Sequence, residues 1–334
     1  MTRWNYFQQT DDAIVKVFIT GAGGFIGRAL AERYRADGTE VAGVDLTADE
    51  SRGVVAGDVS VPGPWQDHMT GSDVVIHTAA IVSNAYDLAT SWKANVVGTR
   101  MALDAAAKHG VGRFVHISSV RAFSDVEFPD GVDERHPVRT DGNPYVDTKV
   151  ASEQVVLQAH AGGEVQCTVI RPGDVYGPGS RPWTILPLEI IRANRFALPA
   201  MGRGIFSPVY VDDLVAGLVL AAERPEAAGQ VFTLTGGIGV TCAEFFSHYY
   251  RVLGKRGPVC LPTSIALAGA SVAGALARVR GQRSEVNSVS MRYLARRGTY
   301  SIEKARRTLG YEPAVTLDDG MRRTEAWLRE QQLL

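Results

Sequence analysis

Tyr145 and Lys149 are the residues with the clearest chemical potential, four apart at the start of Tyr145–His160, a stretch with helical spacing. Positions i and i+4 share a helix face with Cβ atoms about 6 Å apart, so an ammonium there favours a phenolate. A free tyrosine titrates at about 10, and bringing it to about 7 takes roughly 4 kcal/mol of charge stabilisation. Lys149 and the cationic ring of an oxidised nicotinamide can supply that together, which makes Tyr145 a candidate acid/base. Alone, the same spacing fits an exposed helix face. Ser118 and Ser119 end another strand-like run, at the edge where open α/β sheets bind ligands.

A second cluster would serve such a ring. Gly21, Gly24 and Gly27 follow a β-branched run, Ile14–Thr20, and open a helical one, Phe25 to Arg35. Gly21 permits the tight turn, Gly24 lets the backbone approach a pyrophosphate, and Gly27 lets helix and strand pack closely. The helix N-terminus offers free N–H groups to the phosphates. Asp45 ends the second strand, where a carboxylate accepts both ribose hydroxyls of NAD and repels the 2′-phosphate of NADP. NAD is the expected cofactor, with NADP disfavoured. A plain structural turn and a solvated strand-end acid remain the alternatives for each feature alone.

These residues need a scaffold, and the first half of the chain supplies one by alternating strand and helix patterns. Val41–Asp45, Val54–Asp58, Val74–His77, Phe114–Ser118 and Val165–Ile170 read as further strands, with Ser91–His109 and Tyr145–His160 as long helices. Alternation of this kind predicts an α/β fold, a Rossmann-type doubly wound parallel sheet covered by helices on both faces. Pro172, Pro178, Pro182 and Pro187 then mark a long irregular passage suited to a substrate pocket. Helices are expected at Asp212–Glu223, Thr241–Leu253, Ser301–Leu309 and Leu317–Glu330, with a strand at Val231–Leu234. The expected division is a cofactor domain over 13–172 with parts of 207–236, a smaller substrate-binding region over 173–206 and 237–334, and an extension over 1–12.

Composition narrows the class. The 334 residues are 45% hydrophobic and 21% charged, with 35 Lys plus Arg against 36 Asp plus Glu, a net charge of −1. That balance excludes a generally cationic nucleic-acid binder and a disordered acidic chain. Cys167, Cys242 and Cys260 are too widely spaced for a disulfide framework or a zinc site, so no metal is expected. No apolar leader opens the sequence, and a cytoplasmic setting is the default expectation. The apolar segment 265–279 falls short of a membrane span and reads as a packed or pocket-covering helix, with a shallow membrane contact as the alternative. Between Arg278 and Arg307, nine basic residues face only Glu285 and Glu303; a solvated face is the ordinary reading, an anionic partner the other.

Together, TGAGGFIG at 20–27, GDV at 57–59, HTAA at 77–80, NVVGT at 95–99 and HISS at 116–119 form an ordered set. YVDTK at 145–149, RPGDVYGPG at 171–179 and YVDD at 210–213 complete it. From about Val15 to Leu328 the chain resembles the extended short-chain dehydrogenase/reductase family, also called the NAD-dependent epimerase/dehydratase family. The resemblance implies that Tyr145 is the acid/base, that Lys149 tunes it, and that Ser119 holds the reacting oxygen, with Ser118 a possible sharer. It places Asp58 at the adenine, Ala79 and Ala80 along the cofactor cleft, and Asn95 as the residue orienting the catalytic helix. Phe25, Ile26, Val59 and Pro172 are further expected cofactor contacts. It also implies a homodimer through the two long helices.

Two chemistries compete within that family, nucleotide-sugar epimerisation or dehydration and net alcohol/ketone redox. Asp174 stands where sugar-nucleotide members usually carry Asn, and no Arg follows Gly204 to clamp a diphosphate, although Arg203 precedes it. HTAAIVS at 77–83 and the late apolar segment look most like the 3β-hydroxysteroid dehydrogenase branch. An apolar small-molecule substrate, hydroxysteroid-like or β-keto acid-like, is therefore favoured. Its expected contacts are Ser83, Ser118, Arg121, Asp174, Val175, Arg203 and Phe206. A cofactor-binding sensor without turnover is the remaining reading, disfavoured by the Tyr145/Lys149 pair.

Overall fold

The computed structural model describes residues 14–125, 129–281 and 284–334, apart from the Arg278 side chain. The expected extension over 1–12 and part of the basic stretch, Arg283, lie outside the described residues. Strands β1 (Lys16–Thr20), β2 (Glu40–Asp45), β3 (Val54–Ala56), β4 (Val74–His77), β5 (Arg113–Ile117) and β6 (Gln166–Pro172) join Val231–Leu234 in one seven-stranded sheet. Every pairing in it is parallel. The order is Val231–Leu234, β6, β5, β4, β1, β2, β3. Strand succession reverses between β1 and β4, and the crevice outside the carboxyl ends there is where such sheets receive ligands.

Side-chain alternation along β1 shows why both faces are covered. Val17 and Ile19 join Leu30 and Tyr34 of α1 (Phe25–Ala36) in one buried cluster, while Phe18 joins Val75, Phe114 and Leu103 in another. Strands buried on both faces must be apolar at successive positions, and β1 and β4 are. The helix expected at Ser91–His109 begins earlier, as α2 (Leu88–Trp92), because the Asp87 side chain accepts from the Thr90 N–H at 2.8 Å and caps it. A π-helical turn, Lys93–Val97, connects it to α3 (Gly98–Lys108). The expected Tyr145 helix is α4 (Pro144–Ala161).

The proline-rich passage is more ordered than its composition suggests. Asp174–Tyr176 forms a short strand paired with Pro208–Tyr210, and a helical stretch runs from Arg181 into α5 (Leu186–Arg192). Pro182 sits in the opening turn of that stretch, where a missing N–H removes no helical bond, and Pro187 follows directly on its π-helical turn. Beyond α6 (Val211–Glu223) and α7 (Cys242–Val252), the apolar segment forms α8 (Thr263–Val279). No described helix is long and apolar enough to cross a membrane. The short helix α9 (Ser288–Ala295) was not anticipated; Asn287 caps it by accepting from the N–H groups of Val289 and Ser290.

Candidate active site

One cleft of about 1840 Å³ runs along the carboxyl edge of the sheet. Gly21 takes a φ of +70°, and a Cβ there would stand 2.8 Å from the Ala79 nitrogen. A Cβ on Gly27 would stand 2.2 Å from the Gly21 carbonyl oxygen, so α1 can approach β1 only without one. Gly24 precedes α1 with no side-chain cap, leaving the first helical N–H groups without the usual capping acceptor. Donors without a cap, above a turn that tolerates no added Cβ, fit the diphosphate of a dinucleotide. Asp45 is oriented by the same turn: its Oδ2 accepts from the Gly23 N–H at 2.9 Å and its Oδ1 from Leu46 N–H at 2.7 Å. Asp58 accepts from the Ser60 hydroxyl and backbone, which lowers its pKa. Phe25, Ile26, Val59, Ala79, Ala80 and Pro172 also line the cleft, whereas Gly27 lies behind it as packing.

Tyr145, Ser119 and Lys149 stand together further along. Burial raises the Tyr145 pKa, opposed first by the Arg121 guanidinium and then by a hydrogen bond with Ser119. The Lys149 ammonium lies 5.9 Å from the phenol ring and donates to the Ile117 carbonyl at 2.7 Å. Desolvation pulls it down to about 8. Arg121 comes closer, 5.1 Å from the centre of the Tyr145 ring. It is held there by Asp125 through two charge-assisted bonds and by Asn84 at 3.0 Å. Asn95 sits outside the cleft in the π-helical turn. Its amide oxygen accepts from Ile81 N–H at 2.7 Å and its amide nitrogen donates to Thr148 of α4 at 3.0 Å. It does not line the cleft, and its contacts tie the Ile81 loop to α4.

Of the expected substrate contacts, Ser118 and Asp174 line the cleft with their polar atoms already engaged, and Arg203 and Phe206 do not line it. The Ser118 hydroxyl donates to buried Glu153 at 2.5 Å, and Glu153 is held by Arg171 at 2.7 and 2.9 Å, so Ser118 is committed to an ion pair. Asp174 lines the cleft without presenting a bare charge: it accepts from Arg296 and from the Ser207 N–H, each at 2.9 Å, and from the Tyr293 hydroxyl. Arg203 is exposed and does not line the cleft. Phe206 is buried behind it, 4.8 Å from Trp183 and 4.1 Å from Phe245 between ring centres, and supports the wall from outside. Ser83, Arg121 and Val175 do line the cleft, with Ser83 hydrogen-bonded to Glu285.

Sequence reasoning missed Asp125, Tyr293 and Arg296. Tyr293 lies between two guanidiniums, Arg121 at 4.7 Å and Arg296 at 3.6 Å from its ring centre. Arg296 belongs to the basic stretch yet is buried, so that stretch is not wholly a solvated face. The Asn287 cap was the one local signal for the helix that brings them in. The far wall of the cleft is apolar and comes from Trp183, Leu186, Phe246, Met291 and the Ala/Gly face of α8.

The model of the NAD dependent epimerase/dehydratase family matches residues 17–234. The chain belongs to that family. It is an NAD-dependent enzyme of the extended short-chain dehydrogenase/reductase type, with oxidoreductases among its relatives. It is 31% identical to a 4-hydroxy-2-methyl-3-oxo-4-farnesyl-3,4-dihydroquinoline-1-oxide ketoreductase of Stigmatella aurantiaca, over 92% of this chain and 95% of that one. It is 28% identical to a 2-alkyl-3-oxoalkanoate reductase of Stenotrophomonas maltophilia, over 93% and 99%. A 3-beta-hydroxysteroid dehydrogenase of Mycolicibacterium neoaurum is 29% identical over 92% and 89%. Among solved structures, MoeE5 with UDP-glucuronic acid and NAD shares the fold, with a TM-score of 0.77 at 24% identity over 95% of this chain and 99% of that one.

Proposed function

We propose that the enzyme carries out net hydride transfer at a secondary alcohol or ketone of an apolar substrate. The observation that carries this reading is the continuity of one cleft from the glycine turn, past Tyr145, to the apolar wall of α8. Its volume exceeds what a single drug-sized ligand usually occupies, about 300–1,000 Å³. The relatives reported above act, by their names, on a farnesylated ring ketone, an alkyl oxoalkanoate and a steroid, which supports the apolar class.

NAD, when bound, supplies the acceptor or donor of the hydride. Ser119 holds the substrate oxygen. Tyr145 gives that oxygen a proton during reduction and takes it back during oxidation. Arg121 and Lys149 stabilise the phenolate left behind, and burial of the phenol keeps water from competing for the proton. Asn95 ties the loop at Ile81 to α4 and so fixes the helix that carries Tyr145 and Lys149.

Nucleotide-sugar chemistry is the second reading, favoured by exposed cleft-lining Arg181 and Arg195, which suit a diphosphate. The two separate in one screen. Steroids, β-keto acids, long-chain ketones and UDP-, GDP- and dTDP-sugars are offered with NAD or NADH while cofactor absorbance and product are followed. Apolar ketones should consume NADH, and interconversion of a sugar nucleotide without net NADH would overturn the proposal. Tyr145→Phe should lower turnover about 10²- to 10⁴-fold while NAD affinity stays within about twofold.

A further inference from the structure

Four large apolar residues on α8 face outward: Ile265 is 57% exposed, Val272 61%, Leu276 51% and Val279 86%. At 100° per residue they fall in a sector of about 60°. A water-facing helix surface has no use for such a stripe, since isolated apolar residues are ordinary but an aligned row is not. The helix does not turn its back on the cleft either. Ile265 and Leu276 line the cleft as well as the outer surface, and Ala266, Ala270 and Ala273 carry the lining inward on the adjoining face. Apolar surface is therefore continuous from outside the molecule to the wall of the cleft.

The helix itself, residues 263–279, carries no acid, and exposed arginines stand near it. Arg195 and Arg280 are exposed, line the same cleft and make no ion pair among the described residues. Of the acids lining this side, Glu189 faces Arg181 at 3.3 Å, and Glu285 is turned to the Ser83 hydroxyl and the Asn84 N–H. An apolar stripe flanked by two exposed arginines without ion-pair partners complements an anionic lipid surface.

We propose that the outer face of α8 seats on an anionic bilayer and that the apolar substrate passes from lipid to cleft along Ile265 and Leu276. The substrate part rests on the function proposed above; the docking part does not. Binding is shallow and reversible, because one stripe of this size and two arginines anchor a protein only weakly.

The test uses the full chain and vesicles of phosphatidylcholine with about one-third phosphatidylglycerol. Co-sedimentation is measured for the native protein and for the double variant Val272→Glu/Val279→Glu, whose positions are exposed and do not line the cleft. The native protein should bind these vesicles and release them at high salt, and the variant should bind about tenfold less. Turnover of a short, water-soluble ketone should be equal in the two, which shows that the variant is folded. No sedimentation of the native protein, or equal sedimentation of both proteins, would overturn the proposal. So would a fall in molecular mass of the variant in solution, which would assign the stripe to a second copy of the chain. If vesicle binding follows the stripe but no apolar ketone is turned over, the proposed function fails and the docking surface stands.

Discussion

The two ends of the cleft are built on different terms. At the cofactor end the backbone makes the site: Gly21, Gly24 and Gly27 shape it, the first N–H groups of α1 have no side-chain cap, and Asp45 is aimed by the Gly23 N–H. At the substrate end side chains from distant segments make it. Trp183, Phe246, Met291 and α8 meet there, backed by a buried Asp174–Arg296 pair. A backbone site tolerates little change, because an added Cβ meets a carbonyl oxygen that cannot give way. A side-chain wall can be recut residue by residue while the sheet behind it stays the same. Such a division suits a family in which one cofactor serves many substrates.

The cofactor end offers the sharpest way to test that contrast. Asp45→Ala removes a carboxylate placed to accept ribose hydroxyls, and hydrogen bonds to a charged group contribute about 1.5–3 kcal/mol. The preference for NAD over NADP, as a ratio of kcat/KM, should fall about 10- to 100-fold. Comparable kcat/KM for both cofactors in the native enzyme would show that Asp45 does not select.

How far each end could be read in advance follows from the same difference. The glycine turn is local and its spacing states its own geometry, so the sheet, α1 and the place of Asp45 were all legible. The Tyr145/Lys149 pair was legible because four residues is one helical turn. The partners of Asp174 were not legible because they are far away in sequence: Tyr293 is 119 residues on and Arg296 122. In the fold it is paired with Arg296. The place of Phe206 was not legible either, since an aromatic beside a pocket and one behind its wall have the same local sequence. The proline-rich passage concealed α5 because proline breaks a helix in its interior and is tolerated in its first turn.

A medium-sized effect lies where the two ends meet. Arg121 stacks between Tyr145 and Tyr293, and it is the largest influence opposing the rise that burial imposes on the phenol. Removing the cation destabilises the phenolate, so the Tyr145 pKa rises. The Asp125 carboxylate, left without its partner, pushes it the same way. Alcohol oxidation needs the phenolate and gains rate as pH rises through that pKa. Ketone reduction needs the phenol and loses rate there. Arg121→Gln should therefore move both limbs of the kcat/KM profile to higher pH, by about one unit. An unmoved profile would leave Lys149 as the group that tunes the phenol.

The smallest expected effect on turnover, that of Ser118→Ala, is read against its neighbour Ser119. Both serines line the cleft, but Ser118 donates to Glu153, a fully buried carboxylate that Arg171 already holds through both oxygens, whereas Ser119 is hydrogen-bonded to Tyr145. Ser118→Ala takes one donor from a buried charge, which costs about 1–3 kcal/mol of stability and should leave kcat within about twofold. Ser119→Ala removes the proposed donor to the reacting oxygen and should lower kcat about 10²-fold with a smaller loss of stability. Thermal midpoints and kcat measured on both variants settle the division. If Ser118→Ala lost turnover as severely as Ser119→Ala, the Glu153–Arg171 pair would have to be part of the reaction's charge balance, and the boundary between the packed interior and the reacting end would lie one residue deeper than the geometry puts it.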